Sequence, residues 1–126
     1  MPLSRRERGA LGEKIALDFL IKRNFTILER NFRCREGEID IIARQGDCLV
    51  FVEVRTKTSP NMGTPEESIT LAKGQRLVVL AQTYLQSHEG LPVQWRIDVI
   101  AIDMDRQGRA SRVDLIENAI SDSLDC

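Results

Sequence analysis

Apolar side chains recur at spacing four near the N-terminus, at Leu11, Ile15 and Phe19, with Ala16 and Leu20 widening the stripe. This periodicity predicts an amphipathic helix. Ser4 followed by Glu7 is a capping-box pattern that starts it, and Asn24 is a reasonable stop. The run from Phe25 to Arg33 then reads as a first strand with imperfect alternation. Two β-rich runs follow, Glu38–Ala43 and Leu49–Arg55, joined by Arg44-Gln45-Gly46-Asp47. A glycine in so short a joint predicts an antiparallel hairpin, with Gln45-Gly46 as its turn. Thr56 to Gly63 is a loop by composition, and Thr64-Pro65-Glu66-Glu67 carries helix-start signals. The helical pattern runs on to about His88, with a break expected near Gly74, and Glu89-Gly90-Leu91-Pro92 stops it. Strands follow at Val93–Asp103 and Arg112–Glu117, separated by a turn at Asp105–Gly108. The order α-β-β-β-α-β-β predicts an α/β fold, a mixed β-sheet flanked by α-helices. No repeat or linker divides the chain, so residues 1–120 form a single domain, with 121–126 a frayed tail.

Composition narrows the class. A chain of 126 residues is one domain's worth, and 42% apolar with 29% charged residues describes a soluble globular protein. No apolar run reaches the roughly 18 residues of a membrane span, and no apolar segment behind the N-terminus suggests a secretory signal. Cys34, Cys48 and Cys126 form no CxxC pair and no disulfide framework, which suggests a reducing, cytoplasmic setting. The one histidine, His88, leaves zinc cages and Ser-His-Asp triads short of ligands.

The net charge of −1 conceals a gradient. Residues 1–35 hold nine basic side chains against four acidic, whereas residues 98–126 hold three against seven. The basic N-terminal side suits an anionic partner, and a near-neutral total argues against indiscriminate coating of nucleic acid.

The hairpin carries the unusual chemistry. Strand alternation puts Glu38 and Asp40 on one face, and Phe51, Glu53 and Arg55 on a shared face of the next strand. A Gln45-Gly46 turn sets Asp40 opposite Phe51 and Glu38 opposite Glu53, with Asp40 and Glu53 diagonal, about 7–8 Å apart between Cα atoms. Two carboxylates about 4 Å apart repel by roughly 4 kcal/mol at an effective dielectric near 20. A divalent cation between them is one remedy, since Mg²⁺ favours a few carboxylate oxygens and keeps several waters. A half-exposed hairpin face neutralised by Arg55 and Lys57 is the other.

Asp40 followed after a short hairpin by Glu53-Val54-Arg55 resembles the D-(x)n-(D/E)-x-K signature of the PD-(D/E)xK nuclease superfamily. The wider pattern is similar to the YraN-like family of bacterial proteins, close to archaeal Holliday-junction resolvases. It rests on Gly12-Glu13, Arg30-Asn31-Phe32-Arg33, Gly37-Glu38-Ile39-Asp40, Phe51-Val52-Glu53-Val54-Arg55, Lys73 with Arg76-Leu77, Tyr84-Leu85 and Arg96-Ile97-Asp98-Val99. The resemblance implies a restriction-endonuclease-like core in which Glu13, Asp40 and Glu53 converge on Mg²⁺ (or Mn²⁺), with the Val54 carbonyl a further ligand. It also implies hydrolysis of phosphodiester bonds in DNA, possibly branched DNA, and by analogy a homodimer.

Arg55 stands where the superfamily usually has lysine. Arg cannot release a proton, yet it can clamp a phosphate oxygen, and Lys57 or Lys73 can supply an ammonium. The catalytic candidates are therefore Glu13, Asp40, Glu53 and Arg55. Candidates for nucleic-acid contact are Arg5, Arg6 and Arg8 at the N-terminus, with Lys57, Lys73, Gln75 and Arg76. The alternative is a catalytically inactive nucleic-acid-binding module of the same fold. Trp95 and Tyr84 are candidates for stacking on bases, although a lone Trp on a strand is expected in the core; His88 is expected at an exposed helix end and Asp98 on an edge strand.

Overall fold

Ser4 caps the first helix as its pattern requires. Its side chain accepts from the Glu7 N–H while Glu7 reaches back to the Ser4 N–H, which satisfies two donors that the first turn leaves open. Helix α1 (Arg5–Lys22) ends where Asn24 turns into the left-handed region at φ 67°. The computed structural model describes residues 2–58, 67 and 69–120. The expected helix start at Thr64-Pro65-Glu66 and the C-terminal tail lie outside the described residues.

Three antiparallel strands follow as a meander: β1 (Thr26–Cys34), β2 (Gly37–Gln45) and β3 (Cys48–Lys57). Helix α2 (Leu71–Ser87), capped by Thr70, crosses back so that β4 (Gln94–Met104) lies parallel to β3. Strand β5 (Ala110–Ile116) closes the edge antiparallel to β4, and the sheet order is β1-β2-β3-β4-β5. This is the expected α-β-β-β-α-β-β order and the expected mixed sheet.

Helices cover both faces, which explains why β3 and β4 read as almost continuous apolar runs instead of alternating. Ala16 and Leu20 of α1 pack on Ile41, Val50, Val52, Ile100 and Ile102. Leu77, Leu80 and Tyr84 of α2 pack on the other face with Phe51, Trp95 and Ile97. The Tyr84 and Trp95 rings meet Phe51 edge-on, so both belong to the core, as expected for Trp95. His88 sits exposed at the end of α2 and stacks on Tyr84.

Four expectations need correction. The hairpin turn is Gly46-Asp47, with Gln45 paired to Cys48; Gly46 takes φ 58°, the left-handed geometry a two-residue hairpin demands. The register therefore moves by two residues, which keeps Asp40 and Glu53 on one side, but Ile39 and Ile41 do not share a face: Ile39 packs with Phe51 and Leu80, and Ile41 with Val50 and Val52. Gly74 does not break α2. It is buried inside the helix, where a Cβ would meet Ile120 at 3.3 Å. Cys48 is disulfide-bonded, which the cysteine spacing did not indicate, while Cys34 keeps a free thiol.

The fourth correction concerns Asp98, which lies on interior strand β4 and is fully buried. Arg96 Nε donates to both its oxygens, at 2.9 and 3.1 Å, and the Asn118 N–H donates at 2.9 Å. Arg96 also donates to Gln45 Oε1 at 2.9 Å, tying β4 to the hairpin end. Removing one member leaves a buried charge without its partner. Asp98→Ala should therefore lower stability by about 3–5 kcal/mol in urea unfolding, with most of that recovered in the double replacement Arg96→Met/Asp98→Leu. A loss below about 1 kcal/mol would show the pair to be energetically idle.

A forked sheet gathers the carboxylates

The ladder between β2 and β3 ends at Ile41–Val52, although β2 begins at Gly37 and β3 runs on to Lys57. Beyond that pair the strands part. Strand β1 follows β2 as far as Cys34–Gly37, and β4 follows β3 as far as Lys57–Asp103, so the sheet splits into two arms. Asp40 stands at the crotch. Its Oδ2 accepts the Val54 N–H at 2.8 Å, so a side chain replaces the strand partner that this amide has lost.

Across the crotch is Glu53, 4% exposed on β3 and close enough for its charge to act on Asp40. Burial first, and then the charge of Glu53, push the Asp40 pKa up to about 8. Glu53 is held from its other side, where Oε2 lies 3.4 Å from Arg55 Nη1 and 3.4 Å from Lys73 Nζ. Lys73 is carried by the first turn of α2, and Arg76, one turn on, lines the same recess of about 270 Å³.

Helix α1 brings Glu13 from the opposite face of the sheet. Gly12 makes this approach possible, since a Cβ there would lie 2.5 Å from the Thr56 methyl. With its amide nitrogen facing the carboxylates, Asn31 donates to Glu13 Oε1 at 2.7 Å and to Glu38 Oε1 at 2.9 Å. Asn31 adopts φ 53° on β1, a conformation that asparagine tolerates better than most residues. Desolvation and the charge of Glu38 raise the Glu13 pKa, against the opposing pull of Arg30 and Arg33. Four carboxylates thus gather at the fork: Glu13 and Glu38 joined through Asn31, and Asp40 beside Glu53.

The sequence-based candidates divide accordingly. Asp40, Glu53, Arg55 and Lys73 meet directly, Arg76 borders them, and Glu13 lies within electrostatic reach of Asp40. Lys57 is four residues past Glu53 and lines a separate recess. Arg5 and Arg6 are exposed on the first turn of α1, Arg8 donates to the Leu3 carbonyl, and Gln75 is exposed on α2. Asn31 and Glu38 carry no role in the sequence reading, although both stand in quoted motifs. Their signal was present as the unusual pairs Arg30-Asn31 and Gly37-Glu38.

A family model described as uncharacterised protein family UPF0102 matches residues 12–102, which contain every carboxylate of the fork. The chain belongs to the UPF0102 family. A UPF0102 protein of Moorella thermoacetica is 46% identical over 119 residues, covering 94% of this chain and 99% of that protein. One from Chloroflexus aurantiacus is 48% identical over 124 residues, covering 97% and 99%. A third, from Geobacter metallireducens, is 41% identical over 119 residues, covering 94% and 96%. The nuclease-superfamily resemblance of the UPF0102 sequence is consistent with this membership.

The donor set at the fork fits a hard divalent cation. Mg²⁺ is commonly held by one or two carboxylates and retains several waters, and Asp40 and Glu53 supply that number side by side. Among the described residues no three His, Cys, Asp or Glu side chains form a ready-made ion cage. No helix among them is long and apolar enough to cross a membrane.

The raised Asp40 pKa has a thermodynamic consequence. An unfolded aspartate titrates near 3.9, so between about pH 4 and pH 8 the folded chain binds more protons than the unfolded one. Its contribution is full below that window and is lost as pH rises through it. In EDTA, Tm should fall as pH rises across this range, and Asp40→Asn should flatten the fall. Parallel curves for the two proteins would show that Asp40 titrates normally.

Proposed function

We propose that this chain is a Mg²⁺-dependent endonuclease-like protein that hydrolyses phosphodiester bonds in DNA. The observation that carries the reading is the contact between Asp40 and Glu53 at the fork, with Lys73 and Arg55 both against one oxygen of Glu53. Two acids pressed together, with cations on the flank, suit a site that holds a divalent metal and a phosphate side by side. Asp40 and Glu53 are the proposed ligands, with the Val54 carbonyl and Glu13 completing the set; Mn²⁺ would serve by the same donor chemistry.

Such a metal supplies a water of lowered pKa and stabilises charge on the phosphate in flight. The chain's own groups supply the rest. The Arg55 guanidinium offers paired donors to a non-bridging phosphate oxygen. Lys73 provides the compact ammonium that Arg55 does not, and it does so from α2 instead of β3. Asn31 keeps Glu13 and Glu38 together despite their like charge. Resemblance to Holliday-junction resolvases favours branched DNA, and paired cuts across a branch favour a homodimer.

Arg55 in the usual lysine position favours a second reading, a nucleic-acid-binding module without turnover. Cleavage of branched, flapped and duplex DNA with Mg²⁺ or Mn²⁺ separates the two. Asp40→Asn and Glu53→Gln should each lower the rate by about 100-fold or more, with both variants still folded. Lys73→Ala should lower kcat while leaving DNA affinity nearly intact. No cleavage of any substrate by the unaltered protein, with retained DNA binding, would favour the module.

A further inference from the structure

Beyond the fork, β3 continues to Lys57 and pairs there with Asp103 of β4. A recess of about 530 Å³ opens at this end, bordered by Lys57, Thr58, Asp103, Asp105, Arg109 and Ser111. Its two acids are already engaged. Asp105 Oδ1 accepts the Gln107 and Arg109 N–H groups at 2.9 Å each, which shapes the β4–β5 turn. Asp103 Oδ2 lies 3.6 Å from Arg112 Nη1. The Lys57 ammonium and the Arg109 guanidinium have no carboxylate partner among the described residues, and the Thr58 hydroxyl stands beside them. With Asp105 Oδ1 occupied by two backbone N–H groups and Asp103 beside Arg112, Lys57 and Arg109 are the charged groups of the recess left to meet an anion.

Its position says which kind. Glu53, Arg55 and Lys57 alternate onto one face of β3, and the β3–β4 ladder runs unbroken past all three. At about 3.3 Å per residue, Lys57 lies about 13 Å from Glu53 along the strand. Successive phosphates of one strand are farther apart than the axial rise of about 3.4 Å, at about 6–7 Å, so that span corresponds to about two nucleotides of backbone. Arg55 lies between the two positions. A single backbone laid along β3 therefore meets the carboxylates, then Arg55, then this recess.

We propose that the recess of Lys57, Thr58 and Arg109 is a second phosphate-binding site, holding the backbone of the nucleic-acid substrate about two nucleotides from the carboxylates. The proposal rests on the nuclease reading for its register and on the recess alone for its ligand. It assigns Arg109 a role in substrate binding and makes Lys57 part of a site distinct from the fork.

The test measures binding of a labelled duplex to the full chain in EDTA by fluorescence anisotropy, as a function of salt. Each lost phosphate contact lowers the slope of log K against log salt by about 0.9. Lys57→Ala/Arg109→Ala should therefore bind more weakly, with a slope shallower by about 2. Lys57→Arg/Arg109→Lys should restore it, and the control Lys14→Ala/Lys22→Ala on α1 should match the unaltered protein. Unchanged affinity and slope in the first variant would overturn the proposal even if the fork cleaves DNA. Displacement of the duplex by inorganic phosphate at constant ionic strength would also overturn it, since the recess would then be a small-anion site. Binding that depends on Lys57 and Arg109 without any metal-dependent cleavage would keep the recess and sink only the nuclease reading. No duplex binding by the unaltered protein would sink both.

Discussion

The enforced closeness of Asp40 and Glu53 is the constraint on which the centre of this structure turns. The two carboxyl groups are forced together because β2 and β3 stop pairing at Ile41–Val52 and Asp40 takes over the amide of Val54. Ionising both would place like charges a few ångströms apart in a poorly hydrated crotch. Binding a proton is one way to relieve that strain, and binding a divalent cation is the other.

The rest of the fold serves this crotch from two sides. Helix α1 reaches it because Gly12 lets the helix axis close on β3, and the next residue, Glu13, is delivered to Asn31. Helix α2 reaches it from the other face and delivers Lys73 to Glu53. Each helix pays for its approach with ordinary core packing, Leu20 and Ala16 on one face and Leu77 and Leu80 on the other. The buried Arg96–Asp98 pair, tied to Gln45 and Asn118, pins the far end of the hairpin. With that end fixed, the arms can part at the fork without unravelling the sheet.

Much of this was legible in the sequence. Period-two alternation put Asp40 and Glu53 on one side of the hairpin, and that conclusion survived a two-residue register error because the error was even. The capping box at Ser4 and Glu7 marked α1 correctly. Less legible was the fork itself, since a strand that leaves its partner looks, residue by residue, like one that stays. The Asn31 bridge was hidden for a related reason: it depends on a left-handed residue within a strand, which composition does not announce. Asp98 was misread as an edge residue because spacing does not reveal its buried partners, the Arg96 side chain on the same strand and the Asn118 amide beyond β5. Lys73 illustrates the opposite case. Its place in a motif was visible, but only the crossing of α2 over β3 shows that it supplies an ammonium to Glu53 where Arg55 does not.

Carbon-13 NMR titration of the Asp40 side-chain carboxyl, in EDTA and again with Mg²⁺, tests the central claim most directly. The metal-free midpoint should lie near 8, and Mg²⁺ should displace the proton and move the midpoint sharply down. A metal-free midpoint near the ordinary aspartate value of about 3.9, indifferent to Mg²⁺, would contradict the account.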